Sequence, residues 1–403
     1  MLRALALLLA LAALAAGFVL HAERGRDGSF AWLSGLAFGI VLQRSRFGFA
    51  GPLRSLLEKR DARGALAVLA ALAAGSLGYL VVFGAQVPDP GAGFVPESAF
   101  IGRVGVHTLA GGAFFGAGMM LARGCIGGSF LALGEGSTSA ATALVGAVLG
   151  LGLGEAAWNR AWVAWIADAP AVWLPRDLGY AGALFVQLGA LAALAGWLAR
   201  RASPTTAAQS GVGPADMAPA LPVESARLAR RAFVERWPAA LGGLLVGVLA
   251  TLVYFRGSPL GVTAELARWA LVSGRALGLL PARLEGMETL AGCGPRDGGS
   301  ISDNGLFVAG LVVGAACAAA AAGELRWRSA RAGAHALALI GGIAMGFGAL
   351  LASGCTIGAL LSGVMAFSLH GWVFALGLVA GAWATLRLER RTSARRVHLD
   401  DRT

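Results

Sequence analysis

Charge is scarce in this chain. Only 14% of its 403 residues are Asp, Glu, Lys or Arg, and among the 33 basic residues Lys59 is the single lysine. The net charge of +11 therefore rests on arginine, which is spread between apolar runs rather than gathered in one patch. Such dispersion gives no electrostatic footprint for nucleic acid, and that class of partner is set aside. Cysteine is scarce as well. Cys125, Cys293, Cys317 and Cys355 are too few and too scattered for a disulfide framework, and no CxxC spacing points to a redox pair or a zinc site. HExxH, GxSxG and GxxxxGK[ST] patterns are missing, so the sequence offers no enzyme site and implies no cofactor. No Asp or Glu falls inside the apolar runs, with Glu135, Glu155 and Glu265 at their edges, which argues against a carboxylate proton relay.

What the chain has in abundance is apolar surface and glycine: 57% of residues are hydrophobic and 61 are Gly, a membrane composition. A hydrocarbon core about 30 Å thick requires a helix of about 20 apolar residues. Runs that qualify or come close occupy 1–20, 30–43, 64–84, 104–122, 138–155, 178–199, 238–255, 304–323, 333–352 and 366–386. Residues 1–20 have a charge, Arg3, ahead of an apolar stretch, as a secretory signal would. The length of the run and the lack of a small-residue cleavage site favour a retained first helix. With the N-terminus in the cytoplasm, alternate loops collect 23 basic residues inside against 10 outside. The positive-inside rule then sets both termini in the cytoplasm.

The chain repeats itself. Shifting Cys125 onto Cys355, an offset of 230, makes ten of the 21 positions from 111 to 131 identical to 341 to 361, six of them glycine. Composition alone would give roughly two or three matches. "GLAFGIVLQRSRFGFAGPLR" near 35 and "GLLVGVLATLVYFRGSPLGVTAELAR" near 243 read as weaker matching starts of the two halves. Five spans separate those starts, and an odd number turns the second copy upside down, the plan of inverted-repeat transporters. The fold expected is an all-α polytopic membrane protein of about nine to ten transmembrane helices in two inverted repeats. Its units would be an extra N-terminal helix (1–29), a first repeat with a connecting helix (30–199), a Pro/Ala/Ser-rich cytoplasmic linker (200–237), a second repeat (238–390) and a basic tail (391–403).

After each repeated cysteine comes a segment too short to span, "IGGSFLALGEGS" and "TIGALLSG", before the next full run. Gly-interrupted short segments at matching positions of two halves point to broken or re-entrant half-helices, which survive at membrane depth only where they line a cavity or are buried in protein. Gly124 and Cys125, and Gly354, Cys355 and Thr356, are therefore candidate pathway residues. A buried cysteine is otherwise a small hydrophobe, and Cys317 in "VVGAACAAAAAG" is read that way. Cys293, in "ETLAGCGPRDGGS", shares the Gly-Cys-Gly setting in a long outer loop. A neutral thiol is a weak, polarizable donor that holds an anion loosely enough to release it. Arg123 and Arg296, beside motif cysteines, would steer an anion inward, and Arg46 flanks the path with Arg44 and Arg256; interfacial anchoring is the plainer role for all five. His107, His335 and His370 are read as packing or capping groups ahead of proton carriers, and Trp158, Trp162, Trp165 and Trp173 as an interfacial aromatic belt or a short amphipathic helix.

"FGALLASGCTIGALLSGVMAFSLHGWVF" (347–374), "FGAGMMLARGCIGGSFLALGEGS" (115–137), "SRFGFAGPLR" (45–54) and "RGSPLGVTAELAR" (256–268) together resemble the YeeE/YedE family of sulfur-transport membrane proteins, over about residues 30 to 390. The resemblance implies uptake of thiosulfate or a related inorganic sulfur anion across the bacterial inner membrane. Cys125, Cys293 and Cys355 would pass the ion along by S–H hydrogen bonds, and a small cytoplasmic sulfur-carrier protein would take the sulfur onward. One departure is Gly48, where many members carry cysteine. Two other classes stand beside this reading. A membrane thiol-disulfide oxidoreductase would relay electrons between Cys125 and Cys355, and a structural protein would leave its cysteines inert.

Overall fold

The computed structural model describes residues 2–96, 98–202, 234–256, 261–281, 283–287 and 302–400. Within them the regular elements are all helical and no β-strand forms. In chain order these are α1 (Leu2–Ser45), α2 (Ala50–Lys59), α3 (Arg63–Gln86), α4 (Val106–Ala122), α5 (Ile126–Gly134), α6 (Thr138–Ala161), α7 (Leu174–Arg201), α8 (Ala239–Phe255), α9 (Val262–Ala276), α10 (Asp303–Ala321) and α11 (Ala332–Leu351). A π-helical segment, Thr356–Ser362, runs into a short turn, Gly363–Met365, and α12 (Leu369–Asp400) is the last described element.

Eight helical stretches among the described residues are long and apolar enough to cross a membrane. The first, Ala6–Lys59, includes both legs of α1. At Gly25 the backbone takes φ 73°, a conformation that glycine adopts without a Cβ penalty, and the helix folds back. Trp32 Nε1 then donates to the Ala13 carbonyl at 2.8 Å, so the two legs lie side by side. With the second leg and the 17-residue α8 counted, each of the ten apolar runs in the sequence has its helix. The outward side chains are apolar, among them Phe18, Val81, Phe185 and Leu376, as lipid requires. The chain is a multi-pass helical membrane protein.

Glycine sets how these helices meet, because helices in lipid gain from close van der Waals contact that a side chain would prevent. Four parallel pairs form. The second leg of α1 lies on α10, where a Cβ at Gly39 would come 2.3 Å from the Leu311 carbonyl oxygen. Helix α8 lies on α3 in the same manner, with Gly247 2.6 Å from the Ala71 oxygen. Helix α4 lies on α12, Gly116 meeting the Leu378 oxygen at 2.1 Å, and α11 on α6, Gly346 meeting the Ala147 oxygen at 2.1 Å. Between these pairs α4 and α11 run antiparallel. Gly111 faces Ala352 N and Gly348 O, both at 2.6 Å, while Gly341 faces Ala122 N and Gly118 O, also both at 2.6 Å. Adding or subtracting 230 turns the first set of contacts into the second.

The same offset appears in the backbone. Helix α4 ends at Arg123 with φ 58° and α11 is followed by Ser353 with φ 52°, each one residue before the Gly-Cys pair. A non-glycine residue in this left-handed region costs about 1–3 kcal/mol, so both copies accept strain to turn the chain there.

Charge pairs gather at one end of the bundle. Arg46 donates to Glu135 at 2.8 Å and to Glu324 at 2.7 Å, Arg328 reaches Glu135 at 2.8 Å, and Arg236 reaches Glu324 at 3.3 Å. Arg44, 1% exposed, donates to the Val234 and Glu235 carbonyls and fixes the approach to α8 on the end of α1. Most of the expected linker, 203–233, lies outside the described residues. The opposite end is tryptophan-rich, and here the structure corrects the reading of an interfacial belt. Trp158 and Trp173 are 1% and 2% exposed and donate to the Glu285 and Ala366 carbonyls, while Trp165 alone of the four reaches the surface in the manner of a belt. An indole with an internal carbonyl to satisfy its N–H gains more from burial than from the interface.

Candidate functional site

The two Cys-led segments meet in the middle of the molecule. Cys125 stands at the N-cap of α5 in extended conformation, 3% exposed, and its Sγ accepts the Gly128 N–H at 3.3 Å. Cys355 holds the corresponding place before the π-helical segment, 1% exposed, and makes no such cap bond. Both thiols are free. The contact between the segments is direct: a Cβ at Gly127 would come 2.6 Å from Ile357 Cδ1. Cys355 and the Thr356 hydroxyl both lie within electrostatic reach of Cys125.

A cavity of about 30 Å³ reaches Cys125 from the Arg-rich end, lined by Phe38, Phe47, Gly48, Gly128 and Ile357 among others. That is room for about one water. Gly48, set there by the turn between α1 and α2, has nothing within 4 Å of the place a Cβ would take. Cys355 does not line this cavity. On the other side the Phe100 ring, 2% exposed, lies across Gly354 and Gly358, at 2.9 and 2.6 Å from their would-be Cβ atoms. Cys125 thus lines a cavity, whereas in the other segment the buried Phe100 ring forms a lid over Gly354 and Gly358, either side of Cys355.

The remaining residues singled out in the sequence separate into three groups. Gly124 and Gly354 border the two turns, and Thr356 is fully buried with no hydrogen-bond partner for its hydroxyl among the described residues. Arg46 is engaged by two carboxylates, and Arg123 is exposed at its turn. Cys293 and Arg296 lie outside the described residues.

Sequence reasoning missed Phe100, which lies in a loop with no periodic signal, and misjudged Glu155. The latter is not at a span edge: α6 continues to Ala161, and Glu155 is fully buried with neither carboxylate oxygen hydrogen-bonded among the described residues. The histidines pack and bond as expected. His370 Nε2 meets the Ala352 carbonyl at 2.7 Å, His107 Nε2 meets Thr108 Oγ1 at 3.2 Å, and His335 Nδ1 meets Thr142 Oγ1 at 2.7 Å.

Fold and site together define a polytopic helical membrane protein in which, among the described residues, the two fully buried thiols belong to a duplicated motif on segments that touch, the setting of a solute path rather than of a soluble active site. The family model described as sulphur transport matches residues 44–384, most of the chain, and the protein belongs to that family, the YeeE/YedE group. It is 29% identical over 361 residues to "Thiosulfate transporter TsuA" of Spirochaeta thermophila, covering 87% of this chain and 96% of the relative. "Thiosulfate transporter TsuA" of Escherichia coli is 25% identical over 363 residues, 87% of this chain and 91% of the relative. "Probable transporter YedE" of Escherichia coli matches 152 residues at 30%, 37% of each chain. The family and these relatives are transporters, not enzymes.

Proposed function

We propose that the protein imports thiosulfate, or an inorganic sulfur anion of the same kind, across the bacterial inner membrane. The observation that carries this is the meeting of the two Cys-led segments at Gly127 and Ile357, with a cavity leading to Cys125. The names of the two TsuA relatives support the choice of ion. The halves are read as inverted repeats with re-entrant Cys segments, in support of which stand the reciprocal glycine contacts of α4 and α11 and the matched turns at Arg123 and Ser353.

The Arg-rich end is assigned to the cytoplasm, following the positive-inside rule. The ion passes Phe100 and meets the Cys355 thiol, which carries no competing cap bond. It moves to Cys125 and leaves through the cavity beside Gly48. Weak S–H donors at two close stations let the ion be held and released. Cys293 and Arg296 belong to the approach from outside, and a small sulfur carrier docks at the Arg-rich end to remove the product. Electron relay between the cysteines has no support in this family of transporters.

A growth assay tests this. A bacterial strain without its own routes for sulfur uptake grows on thiosulfate as sole sulfur source when it carries this protein. Absence of growth, with the protein inserted in the membrane at normal levels, contradicts the reading.

A further inference from the structure

Thiols alone leave one end of a sulfur oxyanion unheld. Three hydroxyls on or against the π-helical segment could hold it. Thr356, Ser362 and Tyr79 are 0%, 1% and 1% exposed, and none of their hydroxyls has a hydrogen-bond partner among the described residues. Buried hydroxyls within the long helices donate to the carbonyl one turn back, Ser45 to Val41, Ser76 to Leu72 and Thr385 to Gly381, while Ser368, just past the short turn, is also without a partner among the described residues. No such bond forms here. Cys355 is extended, so no helical turn precedes Thr356, and after it the π-helical winding brings the Gly363 N–H to Gly358 O.

Position and rigidity add to this. The Thr356 hydroxyl is beside Cys125, and the Ser362 and Tyr79 hydroxyls are beside each other. Tyr79 is held by stacking on Tyr254, 4.6 Å between centroids, and by the edge of Phe83 at 5.6 Å. Two of the hydroxyls belong to the second half, and Tyr79 reaches Ser362 from α3 of the first. At the offset of 230, Thr356 corresponds to Ile126 and Ser362 to Ala132, whereas the cysteines correspond to each other. The thiols are a shared device, and the hydroxyls distinguish the two sides.

We propose that Thr356, Ser362 and Tyr79 form an oxyanion track alongside the thiols, which takes the oxygen-bearing end of a tetrahedral sulfur oxyanion while the thiols take its terminal sulfur. This rests on the reading of the protein as a sulfur-anion transporter. Hydroxyls donate to anionic oxygen without the charge that would trap it.

The test is calorimetric binding to the purified full-length protein in detergent, with thiosulfate and sulfate as probes, alongside uptake by proteoliposomes. Wild type binds thiosulfate, and sulfate, which has only the oxygen end, competes for it. Tyr79→Phe and Thr356→Val, both close to isosteric, each weaken both ions by about tenfold or more. Thr356→Ser retains binding, and Cys355→Ala weakens thiosulfate while sparing sulfate. Wild-type affinities in both Tyr79→Phe and Thr356→Val at unchanged melting temperatures, or a wild type for which sulfate does not compete, overturn the track. If binding follows the expected pattern but wild type shows no uptake, the track stands and the transport reading falls.

Discussion

Gly127 lies against Ile357, the residue that corresponds to it at the 230-residue offset of the internal repeat. A contact between a position and its own counterpart is what two repeats packed about a shared axis would make. The thiols of Cys125 and Cys355, two residues before each, are brought to the same place.

The helix crossings depend on close backbone approach, and that dependence should be the same in both halves. Gly116→Ala and Gly346→Ala each put a Cβ 2.1 Å from a carbonyl oxygen of a facing helix backbone. Each should destabilise by about 1–3 kcal/mol. Gly189→Ala in α7 meets nothing within 4 Å and should be neutral or stabilising by up to about 1 kcal/mol. Thermal melting in detergent checks all three, and a tolerated Gly116→Ala would contradict the packing.

Accessibility of the thiols should differ between the two sides. Phe100 covers Gly354 and Gly358, so Phe100→Ala should speed labelling of Cys355 by a membrane-impermeant maleimide at least severalfold. Gly48 borders open space in the cavity below Cys125. Gly48→Cys should therefore fold normally and react from the Arg-rich side, with thiosulfate slowing the reaction. Equal labelling of Cys355 with and without the Phe100 ring would remove the lid.

Acid should loosen the Arg-rich end. Glu324 lies beyond the end of α10; burial works to raise its pKa, but Arg46 and Arg236, with a hydrogen bond from Gln43, outweigh it and hold the carboxyl below its usual range. A depressed folded-state pKa stabilises above the unfolded value and the gain is lost as pH falls through the folded value. Wild type should therefore lose melting temperature below about pH 4 more steeply than Glu324→Gln, which lacks this carboxylate. Parallel curves would show that the pairs contribute nothing.

Glu155 is buried on α6 with no hydrogen bond to its carboxylate among the described residues. Removing a buried acid that has no hydrogen bond to lose is neutral or favourable. Glu155→Gln should leave the melting temperature unchanged or raise it, and a fall of several degrees would mean that the carboxylate is held by a partner.

Hydropathy made the spans legible, because lipid demands length and apolarity that few other settings do. The glycine repeat and the break at each Gly-Cys pair were equally plain, since small residues recur where backbones touch. Helices α2 and α9 were not, being short and partly polar, and α6 runs past Glu155 because a single carboxylate does not end a helix that its neighbours bury. The lid is a loop phenylalanine and the stacked Tyr79 sits within an unremarkable apolar run, so their roles depend on contacts between segments far apart in sequence. Trp158 and Trp173 misled for the same reason: their partners are carbonyls at Glu285 and Ala366.

In the mechanism proposed, the ion crosses by way of the paired thiols. Uptake of sulfane-labelled thiosulfate into proteoliposomes, compared among wild type, Cys125→Ala and Cys355→Ala, tests it most directly. Saturable uptake in wild type that falls at least tenfold in each variant, with melting temperatures unchanged, is the predicted result. Wild-type rates in both variants would contradict it, because the ion would then cross without touching either cysteine.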